Sequence, residues 1–199
     1  MRVESDAVVD AGVSPVVELS DAALVDIVLK GESEAYARLV ARYRDRYARF
    51  ALHMLGNRED AEEALQDAFV RGYRSLHRCG DPARFGSWLL AILANRCRTA
   101  GGRRARREKR FVSAEDRHYA IALDHPADAS AWREEIGLAL SRLDPNQREA
   151  FLLKHVEEME YEQMSVVTGA GVSALKMRVK RACERMRRML TEGEDAPAR

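Results

Sequence analysis

The sequence predicts an all-α protein made of two small helical domains joined by a flexible linker. Apolar residues recur at helical spacing, and no segment alternates as a half-buried strand would. Aromatic residues make up only 7% of the chain and charged residues 33%, which suits small helical bundles better than one large globule. Between about residues 105 and 129 the apolar periodicity is lost, which indicates an inter-domain linker.

Four helices are predicted in the first hundred residues, after a loose tail over residues 1–19. Serine, asparagine, proline and glycine positions set their limits, because these residues begin and end helices. The predicted helices run, in order, from Ser20 to Gly31, from about Ser33 to Gly56, from about Asp60 to Leu76, and from Pro82 to the Gly101-Gly102 pair. The third is expected to bury Ala61, Leu65, Ala68, Phe69, Gly72 and Tyr73. We expect a helical domain over residues 20–104.

The second domain is predicted over residues 130–190, followed by a tail over 191–199. Ser130 can cap its first helix. Asp144 can cap the next, with Pro145 at the first helical position and Gln147 able to reach back to the cap. A short helix over about 161–168, a glycine-containing turn and a basic helix from Ser173 then follow. Two helices joined in this way are typical of a helix-turn-helix.

The formal net charge of +1 hides two separated basic blocks. From Arg84 to Arg110 the basic residues outnumber Glu108 by roughly eight charges, and from Ala174 to Leu190 they outnumber Glu184 by roughly six. An acidic amino-terminal stretch and the acids around residues 157–162 balance them. Two basic blocks imply two contacts with a polyanion.

The two basic blocks differ in kind. On the last helix Ser173, Lys176, Lys180 and Arg181 lie off an apolar stripe and can reach phosphates or guanine. The fourth helix instead carries aromatic residues and an amide beside its arginines, a composition that can stack and hold unpaired bases. The alternatives are a solvated basic face for the last helix and, for Phe85 and Trp88, a place in the core, because their spacing with Ile92 is that of a buried face.

The outer face of the third helix carries Glu62, Glu63, Gln66, Asp67, Arg71 and Arg74. It is either a partner-binding surface or simply solvated.

Other function classes find little support. No Gly-rich phosphate loop, H-E-x-x-H or G-x-S-x-G motif is present, so we expect neither catalysis nor a cofactor. Cys79, Cys97 and Cys183 are scattered, which argues against a metal site or disulfide framework. The apolar stretches are short and the first residues are acidic, so we expect a cytoplasmic protein without a signal peptide or membrane insertion.

Three sequence stretches resemble extracytoplasmic-function sigma factors of the sigma-70 family. DAEEALQDAFVRGY, from Asp60 to Tyr73, is similar to the core-polymerase-binding segment of region 2. FGSWLLAILANR, from Phe85 to Arg96, resembles the adjoining segment that engages the −10 element. LSRLDPNQREAF and YEQMSVVTGAGVSALKMRVKRA resemble region 4 with its −35-reading helix-turn-helix.

The resemblance implies a non-catalytic protein that directs RNA polymerase to promoters and helps to melt them. Docking on the clamp helices of the largest polymerase subunit would fall to Asp60, Glu63, Gln66, Asp67 and Arg71. The −10 element would be held by Phe85, Trp88, Asn95 and Arg98, with the loop from Leu76 to Arg84. The −35 element would be read by Ser173, Lys176, Arg178, Lys180 and Arg181. An anti-sigma factor is a further expected partner, and the linker would thread the polymerase channel.

Five residues depart from the family pattern: Thr99, Gly101, Gly102, Gly171 and Ala174. They bear on promoter sequence and melting strength. Two rival functions predict different behaviour. A stand-alone regulator would bind DNA without polymerase, usually as a dimer on a palindrome, and an interaction adaptor would show no sequence-specific DNA binding.

Overall fold

The computed structural model describes residues 19–111 and 130–194, and every regular element within these ranges is helical. The all-α prediction is therefore confirmed. The helices are α1 (Asp21–Leu29), α2 (Ala35–Leu55), α3 (Arg58–Arg74), α4 (Phe85–Phe111), α5 (Ser130–Ser141), α6 (Pro145–Phe151), α7 (Tyr161–Thr168) and α8 (Val172–Glu194). Short 3-10 turns cover Leu76–Arg78 and Pro82–Arg84, and a π-helical turn covers Leu152–Val156.

Local polar groups begin α1, as the sequence predicts, and α3, which starts at Arg58, two residues before its predicted start at about Asp60. The Ser20 hydroxyl accepts a hydrogen bond from the Ala23 amide at 3.2 Å, and the Asn57 side chain accepts one from Asp60 at 2.9 Å. Each bond satisfies an amide that has no partner within the helix. Gly56 ends α2 in the left-handed conformation, with φ of 65°. Such caps fix where α1, α2 and α3 turn toward one another.

The first four helices enclose one apolar core. Helix α2 packs on α3, and α3 packs on α4. The largest fully buried side chains of this half are Phe50, Phe85, Leu24, Leu39, Leu89 and Leu93. Tyr73, however, is 46% exposed, so the prediction that it is buried is wrong. Its ring instead meets the edge of the Tyr36 ring, with centroids 5.1 Å apart.

Helix α4 is longer than predicted. It continues through Gly101-Gly102 to Phe111, so the predicted break there is wrong. Each glycine costs a helix about 1 kcal/mol relative to alanine. Ion pairs to α3 on both sides of the glycines oppose that cost: Arg96 pairs with Asp67, and Arg104 lies 3.5 Å from Asp60. The start of the predicted linker, residues 105–111, is therefore helical.

The second half contains α5 to α8. Asp144 caps α6 as predicted, since its side chain accepts a hydrogen bond from Asn146 at 2.9 Å, and Pro145 is the first helical residue. The predicted bond from Gln147 back to the cap is wrong: its Oε1 is buried without a hydrogen-bond partner in the described structure. Gly169 ends α7 with φ of 71°, and α8 begins at Val172.

The two halves pack directly on each other. Helix α4 contacts α7, and α2 contacts α5 and α6. Within residues 19–111 and 130–194, no helix is both long and apolar enough to cross a bilayer. Residues 1–18 of the predicted tail over 1–19, the remaining linker over 112–129 and the last five residues lie outside the described ranges, whereas residues 191–194 of the predicted carboxy-terminal tail belong to α8.

Candidate nucleic-acid and partner interfaces

Helix α8 has one buried stripe and one exposed basic face. Its apolar stripe packs against the rest of the second half, with Leu175, Val179, Ala182 and Met186 buried. On the other side Ser173, Lys176, Lys180 and Arg181 are exposed. The helix-turn-helix geometry thus presents the amino-terminal half of α8 to solvent, as a recognition helix requires.

Arg178 is the candidate on α8 that faces inward. It is partly buried and lies close enough to Glu149 to stabilise the charge of that carboxylate. Lys176 stays on the outer side, with its Nζ 5.6 Å from the centre of the Tyr161 ring. Lys180 lies 3.9 Å from Glu184, one turn further along the helix. Four of the five predicted −35 residues are therefore open to solvent.

The aromatic residues of α4 contribute mainly to the core. Phe85 is fully buried, with its ring centre 5.7 Å from that of Tyr43 and 5.9 Å from that of Trp88. A side chain so enclosed does not contact DNA in this conformation, so the core alternative holds for Phe85. Trp88 is partly buried against the same core, and Asn95 is exposed. The solvent-facing part of this site lies around Asn95.

Arg98 is engaged by the second half of the molecule. Its guanidinium pairs with the Glu149 carboxylate and also donates to the Val167 carbonyl at 3.3 Å. Glu149 has 3% of its side chain exposed. Burial raises the pKa of Glu149 above its ordinary value, and Arg98 and then Arg178 oppose this shift. The structure thus joins a predicted −10 residue to a buried acid on α6.

A second ion pair links the halves. Arg46 on α2 lies 2.8 Å from the Glu157 carboxylate, whose side chain is 1% exposed. Burial also raises the pKa of Glu157, against the opposing effect of Arg46. Sequence reasoning missed both Arg46 and Glu157 because the partners lie 111 positions apart and neither belongs to a local motif.

The outer face of α3 carries two groups of residues: some are exposed to solvent, and others pair with arginines of α4. Glu63 and Gln66 are exposed, and Arg71 pairs with Asp67 at 3.0 Å. Asp67 also holds Arg96 of α4, so this acid stabilises the packing of α3 on α4. Asp60 does the same through Arg104.

An exposed apolar residue lies on the same α3 face and was missed by the sequence reasoning. Val70 is 46% exposed and follows Gln66 by one helical turn. The sequence could have indicated this residue, because a valine one helical turn after Gln66 lies on an otherwise charged face. Gln66, Glu63 and Val70 together form a partly apolar stripe of the kind that protein partners bury.

The three cysteines are free thiols. Burial raises the pKa of Cys97 to about 12, which keeps this thiol protonated. The Cys183 sulfur lies 3.4 Å from Nε2 of His155. Within the described residues, no group of three or more His, Cys, Asp or Glu side chains could hold a metal ion.

Comparison with known protein families divides the chain into the same two halves. The model of sigma-70 region 2 matches residues 39–110, and that of sigma-70 region 4 matches residues 133–186. The RNA polymerase sigma factor CarQ of Myxococcus xanthus is 34% identical over 170 residues, covering 85% of this chain and 97% of CarQ. The ECF RNA polymerase sigma factor SigW of Bacillus subtilis is 27% identical, covering 83% of this chain and 94% of SigW.

Solved structures show a similar fold. CnrH, in complex with the cytosolic domain of CnrY, has a TM-score of 0.63 and 26% identity, covering 88% of this chain and 99% of CnrH. The sigma factor RpoE of Bartonella quintana, in complex with the anti-sigma factor NepR, has a TM-score of 0.66 and 24% identity over 78% of this chain and 96% of RpoE. The fold and the basic recognition helix define a helical transcription factor with a helix-turn-helix. The chain belongs to the sigma-70 family, in its extracytoplasmic-function branch.

Proposed function

We propose that this protein binds core RNA polymerase through α3 and directs it to promoters by reading two DNA elements with α4 and α8. The observation that carries the proposal is the exposed basic face of α8, presented by a helix-turn-helix that the region 4 model matches. In this role the chain needs no catalytic activity of its own, and it works in the cytoplasm beside the polymerase.

The −35 element is assigned to α8. Lys176, Lys180 and Arg181 are exposed along its amino-terminal half, with Ser173 at its start. Lysine and arginine side chains there can contact phosphates and the acceptor edge of guanine in the major groove. Arg178 is partly buried and would join them only after a change in its side-chain conformation.

The −10 element is assigned to the exposed side of α4 and to the loop from Leu76 to Arg84. Asn95 is already open to solvent, whereas Arg98 must leave Glu149 to reach DNA. Trp88 offers a partly buried ring, and Phe85 supports it from the core. Stacking and cationic contacts of this kind offset the few kcal/mol that unstacking a base costs.

The polymerase is assigned to the exposed stripe on α3. Glu63 and Gln66 provide its polar groups and Val70 an apolar contact, while Arg71 flanks it. Asp60 and Asp67 act there mainly by fixing α3 against α4, through Arg104 and Arg96. We also propose an anti-sigma factor as a partner, because CnrH, which is similar over most of its length, was solved with the cytosolic domain of a second protein, CnrY, and RpoE was solved with the anti-sigma factor NepR.

Run-off transcription tests the proposed function. Purified protein is added to sigma-free bacterial core polymerase on a pool of genomic promoter fragments, and discrete transcripts are expected. The double variant Glu63→Ala plus Gln66→Ala should lose them, because both side chains are exposed and neither supports the fold. Arg44→Ala is the matched control, since Arg44 is exposed on α2 and pairs only locally with Asp45 at 3.1 Å.

Two results would contradict this function. Sequence-specific DNA binding by the protein alone, with no transcript from wild type, would favour a stand-alone regulator. Full transcription by the α3 double variant would show that the polymerase interface lies elsewhere on the protein.

A further inference from the structure

The ring of Tyr161 lies beside two lysine side chains at the start of the helix-turn-helix. Tyr161 is the first residue of α7. The Nζ of Lys176 in α8 lies 5.6 Å from the centre of this ring, and the Nζ of Lys154 in the π-helical turn lies 5.1 Å from it. Both distances are within the range of about 6 Å over which an aromatic face attracts an ammonium group. Tyr161 thus connects the π-helical turn, α7 and α8 next to the proposed −35 surface.

Neighbouring groups hold this ring in place. Glu160 and Gln163 form a capping box at the start of α7, in which the Gln163 side chain accepts a hydrogen bond from the Glu160 amide at 2.9 Å. Part of the Tyr161 side chain packs against the apolar core. Lys154 is itself fixed, because its Nζ donates to the Met159 carbonyl at 3.1 Å. The ring is therefore a rigid support for a more flexible side chain.

Lys176 is that flexible side chain. It is exposed, and none of the acidic residues that the structure describes pairs with it. Its four-carbon stem is freely rotatable, and binding to a phosphate removes that freedom. An aromatic face attracts the ammonium without neutralising it, so its hydrogen-bond donors stay available for DNA. Lys180 differs in this respect, because its Nζ lies 3.9 Å from the Glu184 carboxylate.

We propose that Tyr161 is a positioning residue for the −35 element, whose ring orders the Lys176 side chain before DNA binds. The role in DNA binding rests on the proposed function, which assigns Lys176 to that element. The contact between the ring and the lysine stands on the geometry alone. Removing the ring should weaken binding of the −35 element about two- to fivefold, which is the size of one cation–π contact at an exposed site.

A double-mutant cycle tests whether Tyr161 acts through Lys176. The probe is a labelled duplex that carries the −35 half of a promoter identified by the run-off assay, and its affinity for core polymerase loaded with this protein is measured. Tyr161→Leu should weaken binding about two- to fivefold in the otherwise wild-type protein. In a Lys176→Met background the same change should have no further effect, because the charge that the ring orders is gone.

Two further variants are the controls. Tyr161→Phe keeps the aromatic face and should bind like wild type, since the Tyr161 hydroxyl makes no hydrogen bond with the described residues. Lys180→Met removes a charge from the same exposed face but leaves the ring contact, so Tyr161→Leu should keep its full effect in that background. Circular dichroism checks folding. If Tyr161→Leu loses its helical signal, Tyr161→Met carries the test, because methionine fills much of the space without a ring.

The ring contact can also be measured without DNA. In the free full chain the Cε protons of Lys176 lie close to the Tyr161 ring, whose ring current should shift their NMR signal. The signal should move to the ordinary lysine position in Tyr161→Leu and stay in place in Tyr161→Phe. The Cε signal of Lys180 should be the same in all three proteins.

The outcomes separate this inference from the proposed function. If Tyr161→Leu weakens binding equally in the wild-type and Lys176→Met backgrounds, the ring supports the fold alone and the inference is overturned. Wild-type affinity in Tyr161→Leu, or a Lys176 signal that does not respond to loss of the ring, would overturn it as well. A shifted Lys176 signal in a protein that yields no transcripts with core polymerase would reject the proposed function, and with it the role in promoter binding, while the contact would stand.

Discussion

Arg148 is a buried arginine whose guanidinium donates hydrogen bonds to several backbone carbonyls. It is 7% exposed and donates to the carbonyls of Leu140, Ser141 and Leu143, at 2.8, 2.6 and 3.3 Å. These groups end α5 and lead into α6, where carbonyls have no partner within a helix. A further bond reaches Met54 in the first half. One planar side chain thus closes the turn between two helices and connects the halves.

Replacing Arg148 should destabilise the protein strongly. Arg148→Met fills a similar volume but leaves several buried carbonyls unpaired, at about 1–3 kcal/mol each, so we expect a loss of about 3 kcal/mol in the free energy of unfolding. Urea denaturation followed by circular dichroism measures it. Arg142→Met, an exposed arginine nearby, is the control and should change the value by less than about 0.5 kcal/mol. Equal stability of the two variants would show that the carbonyls find other partners.

At the scale of helices, α4 contains glycines in opposite environments. A methyl group at Gly102 would meet nothing nearer than the Arg106 side chain, at 3.7 Å. At Gly86 it would lie only 2.6 Å from the hydroxyl of Tyr43, whose ring is stacked on Tyr47. Gly86 is therefore required by the close approach of α2 and α4, while Gly102 is not required by packing.

Alanine substitutions should accordingly act in opposite directions. Gly102→Ala should raise the free energy of unfolding by about 0.5–1 kcal/mol, because alanine loses less backbone entropy in a helix. Gly86→Ala should lower it by about 1 kcal/mol or more, because Tyr43 must move. Thermal unfolding of both variants and of wild type measures these changes. A stabilising Gly86→Ala would mean that the Tyr43 ring relaxes at no cost.

Local chemistry explains which elements could be predicted. The Asp144-Pro145 cap of α6 and the turn at Gly169 depend on nearby residues, and both were predicted correctly. Gly101-Gly102 was interpreted as a break because glycine is unfavourable in a helix, and the ion pairs that oppose this cost come from α3. The exposed residues of α8 could be predicted from the helical spacing of the apolar residues within α8 itself. Arg46, Glu149 and Glu157 could not be predicted, because their roles exist only when the halves are packed together.

For the whole molecule, the buried acids between the halves imply a specific dependence on pH. Burial raises the pKa of Glu149 in the folded chain above the value of 4.5 that applies when it is unfolded. Arg98 and Arg178 are the charges that oppose the shift, and the Cys97 thiol also lies nearby. Between the two pKa values the folded chain binds more protons than the unfolded chain. Glu149 therefore stabilises the fold more as the pH falls through its folded pKa.

Comparison with Glu149→Gln isolates this effect. The free energy of unfolding of wild type, relative to the variant, should rise as the pH is lowered from about 7 toward about 4.5, by at most about 1.4 kcal/mol per pH unit for one proton. Urea denaturation across that range provides the measurement. A difference that falls with decreasing pH would show that Arg98 outweighs the burial and holds the Glu149 pKa below its ordinary value.

The unbroken course of α4 also limits how this chain can change in length. Each residue of an α-helix advances the chain by about 1.5 Å and turns it by about 100°. Inserting one residue between Arg96 and Arg104 would rotate Arg104 away from Asp60 while Arg96 stayed on Asp67. Inserting seven residues, close to two turns, would restore the direction but move Arg104 about 10 Å beyond its partner. Substitutions on the outer surface of this segment are therefore compatible with both ion pairs to α3, whereas insertions and deletions are not.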